Sequence, residues 1–177
     1  MYGLRCFSHI TLGHPTTTFP IPCARQPSKL PVILSRAEVT RLLAAAPTVR
    51  DRTFLQTISS AGLRVSEALH LTLTDMDSQR MCLRIAQGKR RKDRSVPLSA
   101  RLLPDLRASW RTSRPAVWLC ANHAGPQPLS RATAHLIFHA AKARAGIATP
   151  GGIHSLRHAC ATPLLAAGTD LHTIQRL

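Results

Sequence analysis

From Leu30 onward, apolar positions recur mostly at three- and four-residue intervals, with one short stretch that alternates at two. Ser35 followed by Glu38 is a capping-box pattern, and Val39, Leu42 and Leu43 place an apolar stripe behind it, which predicts a helix to about Ala46. A second helix is expected from Asp51 to Ser60, broken by Gly62, and a third from about Val65 to His70. After a turn region at Thr72–Asp77, Met81, Leu83 and Ile85 alternate with polar partners as a strand does. Gly88 to Lys92 reads as a basic turn, and Ser95-Val96-Pro97-Leu98 as the returning strand. That strand belongs at a sheet edge, because Pro97 has no N–H to give a ladder.

Ser99 is placed to cap a helix reaching about Trp110, whereas Val117 to Leu119 is too short to assign. Ser130 opens a strong helical pattern through Ala145, with Gly146 just past its end. A further helix is predicted from Ser155 to Ala167, closed by Gly168, and a last one starts near Asp170. Pro163 falls inside the first of these, where it removes a backbone hydrogen bond and crowds the preceding turn at a cost of roughly 3 kcal/mol, so a kink or a weakened helix is expected there. The fold class is mainly α with a small antiparallel β-sheet (α+β). No internal repeat or low-complexity tract interrupts it.

Residues 1–30 break the periodicity. Pro15, Pro20, Pro22 and Pro27 punctuate this stretch, so it reads as a tail or linker ahead of one domain over residues 31–177. An apolar share of 44% supplies a core for that domain. No run of about 18 apolar residues argues for a membrane span. Cys6, Cys23, Cys82, Cys120 and Cys160 are scattered without paired spacing, which suits a reducing cytoplasmic setting better than a disulfide framework.

Charge narrows the function. Twenty-four Lys and Arg against eight Asp and Glu give a net +16, and a field of that size makes a polyanion the expected partner. Aromatic residues make up only 4%, too few for the stacking platforms of a single-strand binder, so duplex DNA held through its phosphates fits better.

Three segments carry candidate chemistry. Ala61-Gly62-Leu63-Arg64-Val65-Ser66-Glu67-Ala68-Leu69 puts Arg64 just after a glycine bend, at a helix start where backbone N–H groups also favour an anion. The basic hairpin Gly88 to Leu98 bears Lys89, Arg90, Arg91, Lys92 and Arg94. His154-Ser155-Leu156-Arg157-His158 gathers two histidines and an arginine within about one helical turn. Phosphoryl chemistry has use for this set. Arginine forks grip phosphate oxygens and tighten as charge builds, a lysine among cations is ready to give up a proton, and a histidine relays one. No carboxylate cluster is present for a metal pair. Each piece also has a plainer reading: Arg64 ion-paired with Glu67, hairpin charges as a solvated face, one histidine hydrogen-bonded in the core.

The order of the three motifs resembles that of the tyrosine recombinases, the phage-integrase family. Gly-Leu-Arg-x-Ser-Glu-x-Leu, then Gly-Lys-x-x-Lys-x-Arg-x-Val-Pro-Leu, then His-x-Leu-Arg-His, with Ala-Thr-x-Leu-Leu-x-Ala-Gly-Thr-Asp-Leu-x-Thr-Ile-Gln behind, covers about Leu30 to Leu177. The resemblance implies a site-specific recombinase or integrase of a mobile element that breaks and rejoins DNA through a phosphotyrosine link without a metal or other cofactor. It casts Arg64 and Arg157 as phosphate-binding arginines, Lys89 as general acid toward the leaving 5′ oxygen, and His154 in acid/base or phosphate contact. Glu67 and His158 become supporting residues, and Arg90, Arg91, Lys92 and Arg94 DNA contacts. Partners would be double-stranded DNA and other recombinase protomers in a synaptic assembly, with no membrane.

Two departures from the family pattern set further expectations. The only tyrosine is Tyr2, ahead of every motif, and the chain stops at Leu177 before the family's nucleophile, so the catalytic-domain fold is expected to be incomplete at its C-terminus and inactive alone. Residues 1–30 have room for only the last piece of an N-terminal core-binding domain. The alternative function is a non-enzymatic DNA-binding remnant that competes with intact recombinases. A competing motif is Cys120-x-x-His123 with His135-x-x-x-His139, which resembles zinc-ligand spacing, although the family reading leaves those residues without a metal.

Overall fold

The computed structural model describes residues 33–86, 93–122 and 127–166, the last with side chains as far as residue 161. All of them lie in one compact unit, Pro31–Leu177.

The capping box forms as the sequence requires. Ser35 accepts from the Glu38 N–H at 3.2 Å, and the Glu38 carboxylate accepts from the Ser35 N–H at 2.8 Å, which starts helix α1, Arg36–Ala44. Helix α2, Val49–Ala61, begins two residues earlier than the apolar pattern indicates, because Thr48 accepts from the Asp51 N–H at 3.1 Å and caps it. Phe54, Leu55 and Ile58 are wholly buried on α2, each contributing about 1.5–3 kcal/mol of burial. Thr53 and Thr57 tolerate the same burial by donating their hydroxyls to the carbonyls four residues back, at 2.8 and 2.7 Å. Helix α2 is the axis of the domain and packs against α1, α3, α4 and α6.

Gly62 ends α2 with φ +61°, and helix α3, Val65–Leu69, follows immediately. The region read as a turn, Thr72–Asp77, contains a short 3-10 segment and a strand that periodicity is too brief to reveal: β1, Met76–Asp77. It pairs antiparallel with β2, Cys82–Ile85, which pairs antiparallel with β3, Arg94–Pro97, in the order β1-β2-β3. Asp77 closes the first hairpin by accepting from the N–H groups of Gln79 and Arg80 at 3.0 and 2.9 Å. Pro97 sits on an edge strand, as its missing N–H demands. Leu83, Ile85 and Val96 point into the core, while Arg84, Ser95 and Pro97 point out.

Helix α4, Leu102–Ser113, starts two residues later than a Ser99 cap implies and ends three residues past Trp110. Ser99 does accept from the Arg101 N–H at 3.3 Å, but that bond closes a preceding turn, and Arg114 terminates the helix at φ +42°. Helix α5, Arg131–Arg144, is capped by Ser130, which accepts from the Thr133 N–H at 3.0 Å. Helix α6, His154–Ala166, continues through the position of Pro163. Val117 to Leu119 is tied down by the Leu73 N–H donating to the Val117 carbonyl at 3.0 Å and the Leu119 N–H to the Leu71 carbonyl at 2.8 Å. Gly168 and the helix expected from Asp170 lie outside the described residues. No helix among the described residues is long and apolar enough to cross a membrane.

Candidate active site

The site is built on the turn between α2 and α3. Gly62 in the left-handed region lets the chain reverse in one residue, which leaves Arg64 as the residue preceding α3 and Glu67 in its first turn. A carboxylate there is favoured twice, by the orphan N–H groups and by the helix dipole. Glu67 accepts from the Arg64 N–H at 2.8 Å and from Arg64 Nη1 at 2.6 Å. The plain reading of Arg64, paired with Glu67, is therefore present in the structure, and it is also what fixes the guanidinium in place.

Arg94 arrives from β3. Its Nη1 donates to Glu67 Oε1 at 2.8 Å and its Nη2 to Glu67 Oε2 at 2.9 Å, a two-point fork on a carboxylate that is only 8% exposed. The structure thus places Arg94, expected among the hairpin's DNA contacts, on the protein's own glutamate, with its side chain 18% exposed. A signal for this was present in the strand alternation. Arg94 and Val96 share a face, Val96 is buried, and an arginine on an inward face needs an acceptor.

Arg157 comes from the first turn of α6 and donates through Nη1 to the Gly62 carbonyl, which joins α6 to the same turn. Burial lowers its pKa, and Arg64 and Arg94 act in the same direction while Glu67 opposes them, so these four side chains share one electrostatic neighbourhood. Three guanidinium groups stand around one carboxylate. Burial alone would raise the Glu67 pKa, but the bonds from Arg94, the Arg64 backbone and the Arg64 side chain outweigh it and hold the carboxyl below its ordinary range.

His154 opens α6 and is exposed, one turn from both Arg157 and His158. Partial burial, then the charges of His135, His158, Arg131 and Arg157, depress its pKa, so the ring favours its neutral form at pH 7. Arg131 and His135 of α5 thus bear on the site although the motif reading gave neither of them a role there. Helix periodicity supplies no hint of it, because the proximity is between helices. Cys160, one turn beyond Arg157, has its thiol pushed up by burial and partly drawn back by Arg157, which leaves it protonated.

Lys89, Arg90, Arg91 and Lys92 lie outside the described residues, as does His123. Of the zinc-like pattern, Cys120 is buried with its thiol pushed up to about 12, and His135 faces His154 electrostatically. Among the described residues no three His, Cys, Asp or Glu side chains gather as metal ligands do.

The likeness to known proteins bears on the same residues. The Phage integrase family model matches residues 33–177, every motif included. The chain is 42% identical to "Putative integrase/recombinase y4qK" of Sinorhizobium fredii, over 99% of this chain and 57% of that protein. It is 36% identical to the tyrosine recombinase XerD of Ralstonia nicotianae, over 96% of this chain and 58% of the relative. The crystal structure of the XerH site-specific recombinase bound to its difH substrate superimposes with a TM-score of 0.72 at 27% identity, over 84% of this chain and 47% of that one. The chain therefore spans somewhat more than half the length of these curated relatives. With its core, its three-stranded sheet and its arginine-rich turn in place, the chain belongs to the phage integrase family of tyrosine recombinases.

Proposed function

We propose that residues 31–177 act as part of a recombinase catalytic domain that holds duplex DNA and grips one phosphate with Arg64 and Arg157. The observation that carries this is the surplus of fixed positive charge at the α2–α3 turn: three guanidinium groups around a single ionised carboxylate, an arrangement that gains stability when an anion arrives. Arg64 spends Nη1 on Glu67 while its side chain remains 36% exposed, and a guanidinium has donors on other edges. In this reading Lys89 protonates the leaving 5′ oxygen and neutral His154 donates a hydrogen bond to the phosphate. Glu67 and His158 support the site, and Arg90, Arg91 and Lys92 follow the DNA backbone. Residues 1–30 are then the last piece of a preceding domain.

The chemistry is DNA strand breakage and rejoining through a phosphotyrosine link, as part of a mobile element working in the cytoplasm. Tyr2, ahead of every motif, is the only tyrosine among these 177 residues, so the nucleophile in this reading is a tyrosine outside them, in the same protein or in another protomer of the assembly. Mixing the chain with an intact relative tests the second case: covalent protein–DNA adduct above the relative's own level supports it, and no excess sinks it.

Duplex affinity measured across salt concentration tests the grip itself. Replacing both Arg64 and Arg157 by Ala should reduce the slope of log K against log salt by about one unit, for the one phosphate that both groups hold. An unchanged slope would mean that the basic surface alone binds DNA, the property of a non-enzymatic remnant.

A further inference from the structure

We propose that Arg94 is a positioning residue that holds Arg64 in place through Glu67 and makes no contact with DNA itself. This rests on the reading of Arg64 as a phosphate-binding group. The reasoning begins with orientation. Arg94 lies on the same face of β3 as buried Val96, its register partner on β2 is buried Ile85, and so its guanidinium is directed into the domain.

There it meets Glu67 edge to edge, at 2.8 and 2.9 Å, and both carboxylate oxygens are taken. The same two oxygens hold Arg64: Oε1 takes its Nη1 and Oε2 its backbone N–H. Each oxygen of Glu67 therefore bridges Arg94 to Arg64. Arg64 holds both oxygens from within the same turn, so without Arg94 nothing in this set of bonds ties the Glu67–Arg64 pair to the sheet. The fork from β3 supplies that tie, and its two parallel bonds set the plane of the carboxylate as well as its position.

A consequence is that β3 and the catalytic turn are coupled. Strand β3 leads directly out of the basic hairpin, and Arg94 is its first residue. Arg64 is thus set for phosphate only when β3 is in place beside α3.

The test is duplex binding by the full chain with Arg64→Ala, Arg94→Ala, Arg94→Lys and the Arg64→Ala/Arg94→Ala double variant, across salt and at a temperature where melts show each protein folded. Arg64→Ala should weaken binding roughly fivefold to tenfold at about 0.1 M salt and reduce the salt slope by about one unit. Arg94→Ala should do the same, and adding it to Arg64→Ala should change affinity by less than about twofold. Arg94→Lys is decisive even where the alanine variant folds poorly. Lysine neutralises a phosphate as a point charge but cannot form the fork, so it should behave like Arg94→Ala.

Wild-type affinity for Arg94→Lys, or for Arg94→Ala, overturns the proposal. So does a double variant whose losses add and whose slope falls by a second unit, since Arg94 would then be touching phosphate. If Arg64→Ala changes neither affinity nor slope, the phosphate-binding reading of the site fails and takes this one with it.

Discussion

Replacing Gly62 by alanine isolates the backbone contribution to the site. Gly62 sits at φ +61° and ψ +30°, where a side chain costs roughly 1–2 kcal/mol. The space around it is not the obstacle: an added Cβ would meet Cys160 Sγ at 3.5 Å and Cys160 Cβ at 4.0 Å, which are ordinary contacts. The expected loss is therefore the conformational term alone, about 1–2 kcal/mol, and in a domain of this size each kcal/mol moves the melting temperature by about 2–4 °C. Gly62→Ala should melt about 2–8 °C below the native chain in calorimetry. Gly62→Asn should fall between the two, because asparagine visits the left-handed region more readily. A Cys160→Ala background separates strain from crowding. If the backbone is the cause, removing the thiol leaves the Gly62→Ala deficit as it was. An undiminished melting temperature for Gly62→Ala, or its full recovery with Cys160→Ala, would refute the reasoning. Because Arg157 donates to the Gly62 carbonyl, the same variant should also lose DNA affinity while still folded.

The Glu67 carboxyl is held below its ordinary value of 4.5 in the folded chain, so the stability it contributes is complete above about pH 4.5 and is lost as pH falls through the lower folded value; Glu67→Gln should melt lower at pH 7 and show a shallower decline toward about pH 3 than the native chain, and parallel declines would contradict this. His154, depressed by burial and by its cationic neighbours, should titrate below 6.5 by NMR in the free protein and move upward when duplex DNA places an anion nearby; a midpoint at or above 6.5 without DNA would count against the geometry. Ser130→Ala removes the acceptor for the Thr133 N–H at the start of α5 and should cost about 1 kcal/mol, seen as a fall of a few degrees in melting temperature, whereas no fall would mean that water replaces the cap without loss.

What could be read from the sequence was whatever is settled within one helical turn. Ser35 and Glu38, Arg64 and Glu67, and Ser130 and Thr133 are all three residues apart, and each pair meets as helix geometry dictates, whereas the Thr48 cap on Asp51, at the same spacing, went unread because the apolar pattern starts after it. Strands β2 and β3 were legible because alternation at two residues separates Leu83, Ile85 and Val96 from their polar neighbours. Strand β1 was not, since two residues cannot show a period. The start of α4 was misplaced because Ser99 satisfies an N–H in a turn just as it would in a cap.

The site divides along the same line. Arg64 and Arg157 were identifiable as a pair only through motif order, since nothing in the 92 intervening residues brings α6 onto the α2–α3 turn except the packing of α6 on α2. Arg94 shows the cost of reading charge without direction. A run of five cations in six residues invites one assignment for all, solvated and facing DNA, yet Arg94, the one of the five within the described residues, stands on a strand whose alternation gives it a direction. Alternation counted back from Val96 sends Arg94 inward, and an inward arginine without a carboxylate would leave a buried charge uncompensated, at several kcal/mol. The sequence holds only eight acidic residues to meet it, and among the described residues Glu67, fixed at a helix start, is the one whose two oxygens receive the Arg94 fork. Direction on the strand and scarcity of partners together assign the pair, and neither does so alone.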